Sequence, residues 1–399
     1  MRWLLFLLLV AVGCSKPITR FAQYNASLYR SAPGELVADL STPDDEQAQA
    51  VAAVIQEIRP DVLLINEFDW DAAGKAADLF RTNYLQVSQG GREPINYPHV
   101  YVAESNTGIP SGHDLNNDGQ VGGDLGTRAY GNDALGYGTF PGQYSFILLS
   151  KHPIDHAGVR TFREVLWAEK APTTFRDATT MPADLTPAQI RNADGFVGPP
   201  PGWFTADELA IVRLSSKSHV RIRVDVGKNG VDVLLSHPTP PGFDGPEDRN
   251  GRRNHDEIAL LAERANDFSS GAYPFIDYTP IVVMGDLNAD PADGGSIPGA
   301  IEQLLERPNL QDPRPRSGGG VAAALRQGGV NPGHAGDPAL DTGDFSDTRV
   351  GNLRVDYVLP SERLEIVGSG VYWPRSGPGL ELVEKASDHR LVWVDVVVE

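Results

Sequence analysis

Apolar residues recur along this chain with the spacing of amphipathic helices in two places. Thr42-Pro43-Asp44-Asp45 has the composition of a helix start, with a proline and acidic residues in the first turn, and Pro60 ends the segment. The apolar residues between them share one helical face: Val51, Val54, Ile55 and Ile58. A second helix is predicted by four residues with the same spacing: Ile258, Leu261, Ala262 and Ala265.

Other apolar runs are short and bounded by turn residues, which is typical of strands. They cover residues 62–65, 144–150, 220–226, 231–236, 281–284, 353–359 and 391–398. Lys228-Asn229-Gly230 joins two of them in a predicted hairpin. Because strands occur both as hairpins and in alternation with helices, the pattern predicts an α/β fold, with a mixed sheet or a pair of sheets flanked by helices.

Three segments between these elements are rich in glycine, asparagine, aspartate or proline, and we expect them to be loop insertions. They cover residues 86–143, 168–208 and 311–350. We interpret them as additions to a single domain that extends from residue 18 to residue 399. Long loops of this kind often form the rim of a functional site.

Polar residues that end or interrupt the predicted strands are the strongest functional signal, because an unpartnered buried carboxylate is costly. They are Glu67, His237, Asp286, Asn288, Asp356, Asp388 and His389, with Asn25 as a weaker member. Each alone is compatible with a cap, a turn or a core histidine. Together they indicate a ligand site, since ligands of open α/β sheets bind at strand ends.

Composition and charge narrow the classes of protein that fit this pattern. Of the 399 residues, 41% are hydrophobic, which is enough for a substantial core, and the formal net charge is −19. That charge disfavours a protein that wraps nucleic acid, which needs excess lysine and arginine to displace counterions. A single cysteine, Cys14, excludes an intramolecular disulfide and a cysteine zinc cluster. Any metal must therefore bind oxygen or imidazole ligands.

The first residues predict export. Met1-Arg2 precedes an apolar run that is too short to span a bilayer and has the length of a signal-peptide core. Ala11-Val12-Gly13-Cys14 resembles the lipobox of bacterial lipoproteins, although Ala11 stands where leucine is preferred. We expect residues 1–14 to be a signal peptide, Cys14 to be lipidated, and the mature protein to be anchored at the bacterial membrane or released into the periplasm or medium. The alternative is an ordinary cleaved signal with an incidental cysteine.

The strand-end residues occur in motifs of a known superfamily. Gly285-Asp286-Leu287-Asn288 and Ser387-Asp388-His389, together with Glu67 and His237 and in the same order, resemble the signature of the endonuclease/exonuclease/phosphatase superfamily. The resemblance extends from about residue 18 to the C-terminus, and residues 236–258 are similar to secreted bacterial members. It implies a deoxyribonuclease-like two-sheet α/β sandwich that hydrolyses phosphoesters with a divalent cation.

The resemblance also implies a role for each motif residue. Glu67, with Asn25 nearby, and Asp388 are expected to hold the cation; such oxygen ligands suit Mg²⁺ or Mn²⁺, and also Ca²⁺. Asp286 is expected to orient or deprotonate the attacking water. The remaining expected roles concern the phosphate: donation to its oxygens by Asn288, charge stabilisation by His389 paired with Asp356, and a contact on the other side by His237.

Basic residues close to these motifs are candidates for a rim that attracts an anionic substrate. Arg249, Arg252 and Arg253 follow His237 in the chain. Lys217 leads into a predicted strand, and His219 beside it is a weaker candidate. For the arginines, the alternative is a solvated helix N-terminus.

A second cation site is predicted in the first insertion. Residues 114–119 match the D-x-N-x-D-G start of an EF-hand-type calcium loop. The predicted ligands are Asp114, Asn116, Asp118, Gln120 and Asp124. Leu125 stands where such loops place their final acid, so an Asx-rich turn is the alternative. Calcium here would order the loop.

These features predict an exported, metal-dependent phosphoesterase that hydrolyses a small-molecule or lipid-linked phosphate ester by metal-assisted attack of water. We expect a monomer that contacts a membrane only through a lipid anchor. Three alternatives stay open: a secreted nuclease, which the net charge disfavours; a sphingomyelinase-like phospholipase; and a non-catalytic, calcium-stabilised surface binding protein. The completeness of the acid, amide and imidazole set argues against the last.

Overall fold

A computed structural model describes residues 17–171, 191, 195–266 and 279–398 of the chain. The predicted signal peptide with Cys14 and most of the segment 168–208 lie outside these residues. Within them, a six-stranded and a five-stranded mixed sheet carry flanking helices, and a separate two-stranded ribbon is present. The predicted two-sheet α/β sandwich is therefore confirmed.

The strands are numbered here in chain order. Their bounds are β1 Ile18–Leu28, β2 Val62–Phe68, β3 His99–Val102, β4 Phe146–Ser150, β5 Ile154–Thr161, β6 His219–Val224, β7 Val231–Ser236, β8 Ile281–Asp286, β9 Gly343–Asp344, β10 Asn352–Leu353, β11 Asp356–Pro360, β12 Glu365–Val371 and β13 Val392–Val397. The first sheet has the order β12-β13-β1-β2-β4-β3, and the second has the order β11-β8-β7-β6-β5. Only the pairs β1–β2 and β7–β8 are parallel among the strands of these two sheets.

Helices occupy the connections. The α-helices are Glu35–Asp39, Glu46–Ile58, Lys75–Phe80, Arg128–Asn132, Trp167–Lys170, Ala206–Leu209, Arg249–Asn266, Glu302–Leu305, Gly318–Gln327 and Pro378–Ala386, with a π-helical turn Arg81–Leu85 and a 3-10 turn Asn331–Gly333. Asp45 caps the first predicted amphipathic helix, because its side chain accepts the N–H of Ala48. In the described ranges, no helix combines the length and apolarity that crossing a membrane requires.

The alternation of side chains along β8 explains how the sheets pack. Ile281 and Val283 contact the helix Arg249–Asn266, while Val282 and Met284 join the hydrophobic cluster that includes β1 and β2. Successive residues of a strand point to opposite faces, so Asp286 continues the set that faces the other sheet. The apolar core between the sheets thus ends in a carboxylate.

Neighbouring strands place polar side chains at the same edge of the sandwich. Asp356 of β11 lies directly opposite Asp286 in the antiparallel pair, and Asn25 of β1 lies beside Asn66 of β2. Asn66 reaches across to the second sheet, where its Oδ1 atom accepts the backbone N–H of Asp286 at 3.3 Å. This edge is therefore a polar continuation of the core.

Two of the predicted loop insertions contain regular structure, so the expectation of loops was partly wrong. The segment 86–143 supplies the edge strand β3, which forms because β4 offers it a free edge, with His99 opposite Ser150. The segment 311–350 contains the helix Gly318–Gln327, which Ser317 caps by accepting the N–H of Gly320. Its glycines allow close packing, since a Cβ atom on Gly319 would lie 2.0 Å from the carbonyl oxygen of Trp373.

Gly285 gives a direct test of this packing. A Cβ atom there would lie 2.3 Å from the carbonyl oxygen of Ser236 on the neighbouring strand. We expect Gly285→Ala to lower the free energy of unfolding by roughly 3 kcal/mol, because backbone must shift. Urea denaturation followed by circular dichroism measures it. Gly333→Ala, where a Cβ meets nothing within 4 Å, is the matched control; equal stability of both variants would contradict the packing described.

Candidate active site at the edge of the sandwich

Asp286 is the centre of the polar edge, because side chains from both sheets contact it. Its Oδ2 atom accepts a hydrogen bond from Asn25 Nδ2 at 2.9 Å and lies 3.4 Å from His237 Nε2 and 3.7 Å from His389 Nε2. Its Oδ1 atom accepts the backbone N–H of Asn288 at 3.0 Å. Burial raises the pKa of Asp286, but His389, His237 and Asn25 together outweigh it and hold that pKa well below the usual range. The carboxylate is therefore ionised at neutral pH.

His389 and Asp356 form the hydrogen-bonded pair that the motifs imply. His389 Nδ1 lies 2.9 Å from Asp356 Oδ2, and both residues are buried. Burial lowers the pKa of His389, but the charges of Asp356 and Asp286 outweigh it and hold the pKa well above its ordinary value. His389 therefore presents a protonated Nε2 beside Asp286.

His237 approaches the same oxygen of Asp286 and differs from His389 in its charge state. Burial, with the nearby charge of Lys217, lowers the pKa of His237 to about 4, so this imidazole is neutral at neutral pH. Its Nδ1 atom is buried and has no hydrogen-bond partner among the described residues. Asp286 thus has a neutral and a protonated histidine within 4 Å of one carboxylate oxygen.

Glu67 and Asp388 lie at the open side of this group. Both line a surface depression of about 370 Å³, which Ser27 and Tyr144 also line. Ser27 Oγ donates to Asp388 Oδ1 at 2.9 Å. Burial, with the charges of Asp388 and Asp286, raises the pKa of Glu67 to about 7.

The two asparagines contact protein groups. Asn25 Oδ1 accepts the backbone N–H of Ser27 at 3.1 Å, and its amide nitrogen contacts Asp286, so both ends of this side chain are occupied. Asn288 has a backbone φ of 51°, a left-handed conformation that favours asparagine among residues with a side chain, and its Nδ2 donates to the carbonyl of Pro238. In this arrangement Asn25 positions Asp286; its predicted role as a metal ligand stays a prediction.

The donor set fits a hard divalent cation. Oxygen atoms of Glu67 and Asp388 line the depression, and ligand atoms of Asp286, Asp356 and His389 all lie within 4.8 Å of one another. Asp356 Oδ1 is buried with no hydrogen-bond partner in the described part of the chain. Carboxylates without a thiolate are the ligands that Mg²⁺, Mn²⁺ and Ca²⁺ accept.

This arrangement can be compared with known proteins. The family model for the Endonuclease/Exonuclease/phosphatase family matches residues 22–389. The chain belongs to this family. Its members are hydrolases that act on phosphoester bonds. Among curated proteins, none matches the chain.

Solved structures of low sequence identity align with most of the chain. An endonuclease/exonuclease/phosphatase from Beutenbergia cavernae aligns with a TM-score of 0.50 and 18% identity over 96% of this chain and 72% of its own. A family protein from Leptotrichia buccalis aligns with a TM-score of 0.47 and 14% identity, covering 95% and 99% of the two chains. A mannosyl-6-phosphatase from Bacteroides thetaiotaomicron aligns with a TM-score of 0.43 and 11% identity, covering 95% and 100%. At 18% identity the likeness to the Beutenbergia cavernae protein concerns the fold and not the substrate.

The predicted basic rim divides into two groups. Lys217, Arg249 and Arg253 line a cavity of about 490 Å³ that also touches Glu67, although Lys217 is buried at its wall and donates to the carbonyl of Pro238. The prediction was wrong for Arg252, which is buried and does not line the cavity. It was also wrong for His219, a core residue: burial lowers its pKa to about 4, and its Nε2 atom lies 2.9 Å from the carbonyl of Glu257.

The predicted calcium loop folds around its own side chains. Asp114 accepts the backbone N–H groups of Asp118 and Gly119 at 3.0 and 2.8 Å, and Asp118 accepts that of Gln120 at 2.9 Å. Asn116 Nδ2 donates to Asp118, and the carbonyl of Asp124 accepts from Thr127. These contacts are those of the alternative, an Asx-rich turn; calcium binding stays a prediction.

Glu257 is a buried residue that holds two segments beside the site, a role that the sequence pattern did not predict. Its carboxylate accepts the backbone N–H groups of Ser216 and Thr239 at 2.6 and 2.7 Å, and also the hydroxyl of Ser216. It thereby fixes the segment that carries Lys217 to the segment that follows His237. The sequence offers no local signal for it, because three consecutive ionisable residues, 255–257, can all lie on the solvent side of a helix, whereas here all three are buried.

Removing this carboxylate tests its role. We expect Glu257→Ala to lower the free energy of unfolding by about 3 kcal/mol, because it leaves buried N–H groups without acceptors. The matched control is Glu263→Ala on the same helix, which loses a partly exposed ion pair with Lys170 and is expected to cost below about 1 kcal/mol. Chemical denaturation measures both values; a Glu257 variant as stable as the control would refute the role.

Proposed function

We propose that this protein is a metal-dependent phosphoesterase in which Asp286 accepts a proton from the water that attacks phosphorus. The observation that supports this most directly is the set of groups around Asp286: Nε2 of His237 and Nε2 of His389 lie 3.4 and 3.7 Å from the same carboxylate oxygen, and burial keeps His237 neutral while Asp356 and Asp286 keep His389 protonated. A general base must be ionised, and a group that stabilises negative charge must be a donor.

The two histidines have separate tasks in this proposal. His389 donates from Nε2 to a phosphoryl oxygen as negative charge develops, while Asp356 holds the ring through Nδ1 and keeps it protonated. Neutral His237 is suited to orient water or phosphate without adding charge. Asn25 holds Asp286 in place, because its amide hydrogen bond fixes the carboxylate that must face the water.

Glu67 and Asp388 are the residues that would hold the cation, since both carboxylates open onto the same depression. A bound Mg²⁺ or Mn²⁺ would supply Lewis-acid polarisation of the phosphoryl oxygen and stabilisation of the leaving oxygen. It would also relieve the repulsion between Glu67, Asp388 and Asp286 that raises the pKa of Glu67.

The structure favours a small phosphate ester over the alternative of a nucleic acid. The cavity beside Glu67 has a volume of about 490 Å³, which is within the range of small-molecule sites. The net charge of −19 would oppose binding of a long phosphate backbone. A nuclease would need basic residues spread along an open groove, whereas here four basic residues, Arg128, Lys217, Arg249 and Arg253, line one cavity.

Replacement of Asp286 tests the proposal. We expect Asp286→Asn to lower kcat by about a thousandfold on any phosphate ester that the wild type hydrolyses, because the base is lost while the shape is retained. Phosphate or alcohol release from a panel of monoesters, diesters and phospholipids, each assayed with Mg²⁺, Mn²⁺ and Ca²⁺ after chelator treatment, measures it.

The matched control is Asp207→Asn in the short helix Ala206–Leu209, an exposed carboxylate outside the site, which should retain wild-type kcat. Wild-type hydrolysis by the Asp286 variant, or no hydrolysis of any panel member by the wild type with any of the three cations, would contradict the proposal.

A further inference from the structure

The cavity of about 490 Å³ adjoins the proposed catalytic group, and Glu67 and Tyr144 line both this cavity and the depression that Asp388 lines. We propose that the cavity binds the organic part of the phosphate ester, and that it takes a planar ring carrying an anionic group. This inference rests on the proposed function, because it assumes that the phosphoryl group lies between Asp286 and Glu67. The substrate class would be a phosphate ester of an aromatic alcohol that carries a second anionic group.

Phe243 is the first observation that favours a ring. The residue lines the cavity, 89% of its surface is exposed, and its backbone φ is 63°. A phenylalanine gains nothing for folding from this exposure, and the left-handed backbone conformation is unfavourable for it. A strained, exposed aromatic ring beside a cavity is therefore best explained by stacking on a ligand. Tyr137, which is 47% exposed, also lines the cavity.

The inner walls of the cavity are also aromatic and apolar. Trp167 and Phe204 line it and contact each other edge to face, with ring centroids 6.3 Å apart. The position of Trp167 is fixed, because its indole N–H donates to Asp256 at 2.7 Å. A rigid aromatic wall and an exposed ring at the surface fit a flat apolar group better than a sugar, which needs many hydrogen-bond partners.

Two arginines on this wall favour an additional anionic group. Arg249 Nη1 donates to the carbonyl of Leu115 at 2.9 Å, and Arg253 donates from Nε and Nη2 to the carbonyls of Leu135, Arg213, Leu214 and Ser215. Carbonyl oxygens satisfy these donors without neutralising the charge. Among the residues that the structure describes, neither guanidinium has a carboxylate within ion-pairing distance.

Two fully buried arginines of the chain, Arg354 and Arg390, differ in this respect. Arg354 contacts Asp312 at 2.5 Å, and Arg390 contacts Asp344 at 2.7 Å. Removing a cation from water is costly unless an anion compensates it. Arg249 and Arg253 lack the direct ion pair that Arg354 and Arg390 have, and the carboxylate of Glu257 acts on Arg253 only at longer range. A carboxylate, sulfonate or second phosphate on the ligand would supply it through charge-assisted hydrogen bonds. In the described part of the chain Arg249 donates a hydrogen bond only from Nη1, so its Nε and Nη2 atoms are available for this contact.

Three esters with similar alkoxide leaving groups separate the contributions of ring and charge. They are cyclohexylmethyl, benzyl and 4-carboxybenzyl phosphate, each prepared as the monoester and as the methyl diester. For the wild type we expect KM to fall about tenfold from cyclohexylmethyl to benzyl and about tenfold again to 4-carboxybenzyl, with kcat changing less than about threefold. The first decrease in KM measures stacking on the ring, and the second measures the contact of the carboxylate with arginine.

Two variants assign these steps to residues. Phe243→Ala is expected to remove the preference for benzyl over cyclohexylmethyl, and Arg249→Gln to remove the preference for 4-carboxybenzyl over benzyl. The matched controls are Leu325→Ala, an apolar residue that is 82% exposed on another helix, and Arg326→Gln beside it. Both controls should keep the wild-type order of KM values.

The outcomes distinguish this inference from the proposed function. Equal KM values for the three esters in the wild type, or unchanged preferences in both cavity variants, would overturn the inference and leave the phosphoesterase proposal intact. If neither these esters nor any member of the wider panel is hydrolysed, the proposed function fails; whenever these esters are not hydrolysed, calorimetric titration of the wild type with them decides the inference. Tighter binding of 4-carboxybenzyl phosphate that Arg249→Gln abolishes would support it, and equal binding of all three would refute it.

Discussion

The ionised carboxylate of Asp286, buried between two sheets, is the constraint on which the rest of this site depends. A charge in that position is tolerable only if several groups solvate it, and here both sheets contribute: Asn25 and Asn66 from the first, His237 from the end of β7 beside it. His389 adds the positive charge. Because each of these groups faces Asp286, they are held around one point where a phosphoryl group can be bound.

The same strand geometry produces both the core and the site. Val282, Met284 and Asp286 share one face of β8, so the apolar packing that stabilises the sandwich also orients the carboxylate at its edge. The loops beyond this edge add the cavity, and Glu257 fixes two of them to the helix Arg249–Asn266. The proposed catalytic residues thus lie at the ends of strands. The residues that would select the substrate lie on connecting segments, which vary more freely among proteins of one fold.

The sequence predicted those parts that depend on local pattern. Runs such as 62–65 and 281–284 are apolar enough to identify buried strands, and the polar residues after them identified Glu67, Asp286 and Asn288. Strand β3 was missed because its residues pair with a free edge of β4, a contact distant in sequence, and β12 because glycines interrupt its apolar pattern. The left-handed backbone and exposed side chain of Phe243 and the buried position of Arg252 also depend on tertiary packing. The spacing of residues along the sequence does not reveal them.

The central claim is that Asp286 and His389 act as one unit on the same phosphoryl group. A double-mutant cycle of Asp286→Asn and His389→Ala, with kcat/KM measured on the best wild-type substrate, tests it most directly. Residues that act together lose their joint contribution when either is removed, so the account predicts that the double variant is within about tenfold of the slower single variant. Losses that multiply would show that the two residues act independently and would contradict the account.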